Sequence, residues 1–574
     1  MTPDAFTIEV DPQTGFRTIG QGSLGGKAQG LGLVFGMLNS DDGLKERYPQ
    51  VEISTPDTLV LATHGFEAFL ADNDLGHLAH SDLPDDAVAA EFLKGRLPEK
   101  LEAALRDVLQ QNHRPLAIRS SGKLEDLRYH AYAGLYRTYM LSNDQPELQQ
   151  RLDRLAGAVK LVWASTFFEG PRAYAKRVGH KLDACTMAVI IEPVVGSRHG
   201  RFYYPAISGV AQSCNYYPLG NMKAEDGLAT IALGLGKQVV SGERALRFCP
   251  KYPRRLLQRS TVEEVLDYAQ RGFYALEMGS RGSWESEGSD DLVRRLVSDA
   301  LEEGPVQQLS GTYVRAEHRV RDTFQATGQR VLTFANVLKY DLFPLAPIIR
   351  EMLALGEKAL GAVEIEFAVN LAADRSGKHQ FHLLQMRPMT SRQAGLQVTI
   401  TAEEQNRALC YSQNAMGNIE RQDISDIVFI KPDAFDPGRT REMVRRVSEI
   451  NAALERGQRQ YLLVGPGRWG SSDPWLGIPV RWADISNVAA IVETTADNLK
   501  AELSQGAHFF HNMTSLGISY FSVSQHPPDV MNWAWLTARK RALENEFAAH
   551  VQLPKPVILK VDGRTSCGVI LIDF

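Results

Sequence analysis

Glu364 and Glu366 stand two residues apart in VEIEFAV, and Gln385-Met386-Arg387 follows in FHLLQMR. On an extended strand such residues face the same side, so the two carboxylates project together. Like charges so placed repel unless a cation or protons hold them. Mg²⁺ takes one or two carboxylates plus phosphate oxygens, which fits the pair, and Arg387 can touch the same phosphates. The competing reading is a solvated strand face, weakened by the apolar flanks Val363, Ile365 and Phe367.

Three upstream segments suit anions. Gly25-Gly26-Lys27 runs into an apolar helical pattern. Glycine lets backbone approach an anion, the helix start offers N–H groups, and the lysine neutralises charge. The GxxxxGK[ST] spacing is absent, so a plain turn before a helix is the alternative. Arg119-Ser120-Ser121 follows the apolar Leu116–Ile118. A guanidinium beside two hydroxyls suits a polyphosphate; a surface arginine paired with Glu125 or Asp126 would look the same. The run Gly234-Leu235-Gly236-Lys237 to Gly242 is a glycine-rich loop that can cover a nucleotide.

Near the C-terminus, Gly465-Pro466-Gly467-Arg468-Trp469-Gly470 is a rigid turn after the apolar Tyr461–Val464. Arg468 with Ser471, Ser472 and Asp473 can bind an anionic acceptor; alternatively the turn is structural, with Trp469 and Trp475 packed beneath it. His508 and His511 lie three apart in AHFFHN. On a helix they share a face and can bind a metal or accept a phosphoryl group, or they pack beside Phe509 and Phe510.

These groups need elements to hold them. Leu101–Gln111 reads as an amphipathic helix, Gln145–Phe168 as a long one, and Ile348–Leu360 as a third after Pro347. Strands are expected at Leu116–Ile118, Met187–Glu192, Val363–Val369 and Phe381–Gln385, the last two joined by the polar turn Ala372–Lys378. Arg281–Asp291 reads as an exposed loop, and a composition shift at Ser391–Leu396 marks an expected domain boundary. No repeat or low-complexity tract stands out.

The 574 residues allow several domains, and 44% hydrophobic with 23% charged residues is the balance of a globular protein. A net charge of −5 argues against binding nucleic acid through bulk positive charge. No apolar run approaches the roughly 18 residues of a membrane span, and MTPDAFTIEV lacks the pattern of a signal peptide. The five cysteines contain no CxxC, which argues against a disulfide framework or zinc ribbon and for a cytoplasmic location.

In order, LGGKAQGLG, TPDTLVLATHGFEAFL, LAIRSSGKLEDL with AYAGLYRTYM, VWASTFFEGPRAYAKRVG, MAVIIEPVVG, ISGVA, GLGKQVVSG and VEIEFAV…FHLLQMRPMT run along the chain. This ordered set resembles the ATP-grasp nucleotide-binding domain of pyruvate phosphate dikinase and phosphoenolpyruvate synthase. The resemblance implies an α/β fold: a two-lobed ATP-grasp domain over 16–395, then a smaller mixed α/β C-terminal domain over 396–574. It implies that Lys27 and Arg119 contact ATP phosphates, that Glu364 and Glu366 bind Mg²⁺, and that Gln385 and Arg387 complete the site. Lys27, Arg119 and Arg387 would supply the catalytic positive charge. Glu192-Pro193-Val194-Val195 falls at the family's adenine hinge, and Gly234, Gly236 and Gly242 would shape a nearby loop. Lys237 stands where the resemblance leads one to expect glutamate.

The family's TSHAA-like phosphohistidine segment and TIM barrel are not found; LLVGPGRWGSSDPWLGIPV, SQGAHFFHNMTSLGISYF and KVDGRTSCGVILIDF instead resemble uncharacterised dikinase-like proteins. The expected activity is ATP-dependent phosphotransfer, to a histidine of this chain, a histidine of another protein, or a small molecule. Two other readings stay open: a nucleotide-binding regulatory or scaffold module without turnover, and the ATP-binding subunit of a split dikinase. The C-terminal domain is expected to pack on the cleft and present Arg468 or His508 towards it.

Overall fold

Proline positions fix several element boundaries. Helix Glu99–Gln111 follows Pro98, carries Glu99 and Glu102 in its first turn, and buries Leu101, Ala104, Leu105, Val108 and Leu109 on one face. The long helix expected over Gln145–Phe168 runs only from Leu148 to Ala164. Pro146 biases Gln145 away from helical backbone, and at the far end the Ser165 hydroxyl donates to the Val162 carbonyl at 2.6 Å as the chain tightens into a 3₁₀ turn. Helix Leu345–Leu360 starts earlier than expected, because Pro347 sits in its first turn, where its missing N–H has no helical partner to lose.

The computed structural model describes residues 6–11, 16–40, 42–123, 125, 134–180, 182, 185–215, 222–256, 261–279, 290–372, 377–389, 398–471, 473, 475–495, 513, 518–563 and 565–572. The fold is α/β. One six-stranded sheet has the order Ile8–Val10, Arg17–Ile19, Leu59–Leu61, Met187–Pro193, Leu116–Gly122, Thr138–Leu141. Met187–Pro193 is its central strand, antiparallel to both neighbours, which explains its continuous apolar run. A second six-stranded sheet has the order Leu246–Phe248, Leu228–Ala232, Ile207–Gln212, Val363–Asn370, His379–Pro388, Val51–Ser54.

Helix Gly25–Ser40 contacts both sheets, and its glycines permit this. A Cβ on Gly25, whose φ is +76°, would lie 1.8 Å from the Ser121 carbonyl oxygen; one on Gly26 would lie 1.9 Å from that of Glu125. On the other side, a Cβ on Gly30 would lie 2.7 Å from the Met386 carbonyl oxygen.

Residues 410–571 contribute a ten-stranded sheet. Its strands Ser519–Val523, Val488–Thr494, Tyr461–Pro466 and Ile419–Ile430 are mutually parallel, and helix Thr440–Arg456 links the last two of these. One face of this sheet and the helix join the hydrophobic core under the first sheet; the second sheet has a core of its own.

Three expectations need correction or fall outside the description. Asp291, read as the end of an exposed loop, is buried: it accepts from Arg154 Nη2 at 2.8 Å and from the Ser142 N–H at 2.7 Å. Residues 281–289 of that loop, 373–376 of the Ala372–Lys378 turn and the Ser391–Leu396 boundary lie outside the described residues. Among the described residues, no helix is long and apolar enough to cross a membrane.

Candidate functional site

Arg119 lies on strand Leu116–Gly122 of the first sheet, and its guanidinium reaches the second. Nη1 donates to the Leu384 carbonyl at 2.9 Å and Nη2 to Gln385 Oε1 at 2.7 Å. The carboxylates of Glu192 and Glu366 lie 3.4 and 3.5 Å away. Arg119 is therefore not a surface arginine paired with Glu125. That carboxylate belongs to Lys27, whose Nζ lies 2.8 Å from Glu125 Oε1 and 3.3 Å from Ser120 Oγ. Glu125 also accepts from the Gly122 N–H at 2.7 Å. Asp126 lies outside the described residues.

Lys27, Arg119, Glu192, Glu366 and Gln385 all line one cavity of about 310 Å³ between the two sheets. The alternation of strand Val363–Asn370 builds its second wall. Val363, Ile365, Phe367 and Val369 enter the core of the second sheet, which leaves Glu364 and Glu366 on the opposite side. The two carboxylates nevertheless differ. Glu366 faces the cavity, whereas Glu364 is 2% exposed and does not line it. Arg387, its cross-strand partner, donates to Glu364 through Nε at 2.9 Å and also through Nη2. Gln212, on the other flanking strand, donates to the remaining oxygen at 2.5 Å. Arg387 is thus buried against Glu364 beside the cavity rather than lining it.

Glu192 is also buried, and its carboxylate accepts from Thr58 Oγ1 at 2.9 Å. Burial pushes its carboxyl above the ordinary value, against the downward pull of Arg119 and Thr58. Beyond it the chain leaves the strand at Val194 and Val195, which line the cavity with Pro193. The Val194 N–H donates to the Pro115 carbonyl at 2.8 Å, and its carbonyl accepts from Tyr203 Oη at 3.3 Å. No hydrogen bond engages the Val195 backbone among the described residues.

The glycine-rich loop forms the far wall, where Gly236, Lys237, Val240 and Ser241 face the cavity. Gly234, with φ +87°, is a packing position: its carbonyl accepts from Ser208 Oγ at 2.7 Å, and a Cβ there would lie 2.6 Å from the Tyr274 carbonyl oxygen. The Lys237 ammonium stands 5.3 Å over the Tyr274 ring. Asp290 faces the same cavity, its carboxyl pushed up to about 6 by burial, with Lys237 pulling it down.

Tyr136, Arg137, Thr138 and Asp290 are cavity residues that sequence reasoning did not single out. The first three sit in AYAGLYRTYM, a segment with no charge pattern of its own. Asp290 lies next to the end of the polar stretch that reads as solvent-exposed.

The Arg468 turn docks onto the glycine-rich loop. Arg468 is 6% exposed, and its Nη1 donates to the Gly242 carbonyl at 2.7 Å; Ser471 Oγ reaches the same oxygen at 3.3 Å. Gly242 directly follows the cavity residue Ser241. Asp473 braces its own turn, accepting from the Trp475 N–H at 3.0 Å. Trp469 is buried as expected of a packed turn, but Trp475 is 62% exposed rather than packed beneath it. His508 and His511 lie outside the described residues.

Residues 21–408 match the family of the pyruvate phosphate dikinase AMP/ATP-binding domain. An uncharacterized phosphotransferase of Bacillus subtilis (strain 168), YvkC, is 24% identical over 344 residues, which are 59% of this chain and 32% of that protein. The chain thus spans about a third of the length of that curated relative. With a family match over more than half of its residues, the chain belongs to the pyruvate phosphate dikinase AMP/ATP-binding domain family.

Proposed function

We propose that the chain binds Mg-ATP in the cavity between the two six-stranded sheets and transfers a phosphoryl group to an acceptor. One observation carries this reading: Arg119 bonds both sheets at the point where Lys27, Glu366 and Gln385 also converge. Four cationic side chains, Lys27, Arg119, Arg137 and Lys237, line the cavity against three carboxyls, Glu192, Glu366 and Asp290. The excess of cations over carboxyls favours a polyanionic ligand.

Phosphoryl transfer needs positioning and charge neutralisation more than covalent help from the protein. Lys27 and Arg119 neutralise phosphate oxygens. Glu366 offers the cavity a hard oxygen donor of the kind Mg²⁺ takes, and that ion needs only one or two carboxylates beside phosphate oxygens; Glu364 would join it only once Arg387 or Gln212 releases one of its oxygens. Gln385 and Arg387 complete the site, Arg387 through the Glu364 carboxylate that it grips. When bound, the metal neutralises phosphate charge. Glu192, Val194 and Val195 form the adenine hinge, and the Val195 backbone reads the base edge because that of Val194 is already bonded. Gly234 and Gly236 shape the covering loop.

We assign 16–395 to the nucleotide-binding domain and 396–574 to a second domain that supports it. Arg468 acts through Gly242 as a positioning residue, with Asp473 bracing its turn. The acceptor is a histidine of this chain, with His508 and His511 as candidates, a histidine of another protein, or a small molecule.

Purified protein should turn over Mg-ATP, and Glu366→Ala should abolish turnover. Arg119→Ala should weaken ATP far more than adenosine, which lacks the phosphates. Equal loss of both ligands, or unchanged turnover in Glu366→Ala, would overturn the assignment. A nucleotide-binding module without turnover is the second reading, favoured by the grip of Arg387 and Gln212 on Glu364. Nucleotide binding with no turnover under any acceptor mixture would select it. The ATP-binding subunit of a split dikinase is a third, favoured by the greater length of the Bacillus relative.

A further inference from the structure

We propose that the chain carries a second ligand site, for a small organic anion with an apolar body. The site is a cavity of about 360 Å³ between the loop at Pro250–Arg255 and the first turn of helix Leu345–Leu360. It shares no lining residue with the cavity between the two sheets.

Its floor is hydrocarbon: Val337, Leu338, Phe343, Leu345 and Ala346 are all at most 5% exposed as residues yet line the cavity. Its rim is cationic, with Lys251, Arg254, Arg255 and Arg350 against a single carboxylate, Asp341. Two of the four cations are already balanced. Lys251 lies 2.6 Å from Asp226, and Arg254 lies 3.1 Å from Asp341. Arg255 and Arg350 form no ion pair among the described residues, and both are exposed.

This combination selects the ligand class. A cation is repelled by the rim. A neutral apolar molecule gains the floor but nothing from the two guanidiniums. Inorganic phosphate gains the guanidiniums but leaves the floor wet. A carboxylate, sulfonate or phosphate on an aryl or acyl body satisfies both, since a guanidinium fork matches such oxyanions in a bidentate way. The volume falls in the range of small-molecule sites, about 300–1,000 Å³. Pro250, Pro253 and Pro347 line the walls with fixed φ, so little ordering is needed on binding.

The test is a fluorescence titration of the full chain with anilinonaphthalene sulfonate, an aryl anion, at low salt and with saturating Mg-ATP present. Arg255→Glu/Arg350→Glu should weaken the saturable signal by about ten-fold or more, the scale of a lost bidentate contact. The neutral N-phenylnaphthylamine should bind the wild type about as poorly as the sulfonate binds that variant. Inorganic phosphate should fail to displace the probe at equal concentration. If the charge-reversed chain misfolds by circular dichroism, Arg255→Gln/Arg350→Gln decides in its place. Identical titration curves for wild type and a folded double variant would overturn the proposal. So would equal binding of the neutral probe, or displacement by phosphate alone.

Discussion

Asp290 shows how one carboxyl can make folding depend on pH. Burial lifts it from 3.8 to about 6. The folded chain therefore holds a proton at that site that the unfolded chain has released, and stability falls as pH rises from about 4 to about 6. Above that window the loss is complete. Asp290→Asn has no such proton to lose, so its stability relative to wild type should climb between pH 4 and 6 and then level off. Urea unfolding midpoints of the two proteins across pH 4–8 measure this; parallel profiles would remove the burial argument. At this scale the sequence was partly legible. Lys27, Arg119 and the two glutamates could be picked out by type and neighbours. Their partners could not, because Glu125 lies close in sequence to Arg119 yet bonds Lys27, while Arg119 reaches a strand 265 residues away. Asp290 was hidden because polar residues in a glycine- and serine-rich stretch carry no mark of burial.

The glycine-rich loop is held by two parties. The Gly242 N–H donates to Val239 O at 3.0 Å within the loop, and Arg468 and Ser471 hold the Gly242 carbonyl from outside. A hydrogen bond from a charged donor is worth about 1.5–3 kcal/mol. Arg468→Ala should therefore raise the KM for ATP by about ten-fold, change kcat much less, and speed amide exchange over residues 235–243. Arg468→Lys keeps one donor and should recover part of the KM. An unchanged exchange rate would dissociate the turn from the loop. Helix Gly25–Ser40 offers a second element test. Alanine is the better helix former, yet Gly30→Ala puts a Cβ against the Met386 carbonyl and should cost about 1–3 kcal/mol. A raised melting temperature in that variant would contradict the close approach. Elements with strong periodicity or a proline before them, such as Glu99–Gln111 and Leu116–Gly122, were readable from sequence. What was not readable is why Gly25, Gly26 and Gly30 recur. They suit an anion-binding turn and a tight helix contact equally, and only the packing partner tells these apart.

At the scale of the molecule, the first sheet and the ten-stranded sheet share one hydrophobic core. Phe167 and Tyr174 from one side meet Trp482, Met443 and Val447 from the other in a single buried cluster. The Tyr174 and Trp482 rings stand 5.7 Å apart, and Lys176 pairs with Glu455 at 2.7 Å. The second sheet keeps a separate core. The stretch that matches the family ends at residue 408, inside this arrangement rather than at its edge. The unit of melting should therefore differ from the unit of ancestry. Calorimetry should find the first sheet and the C-terminal sheet denaturing in one endotherm. A gene shortened to end at residue 408 should yield a polypeptide that aggregates on expression, because the part of the apolar cluster that the C-terminal sheet covers would be left facing water.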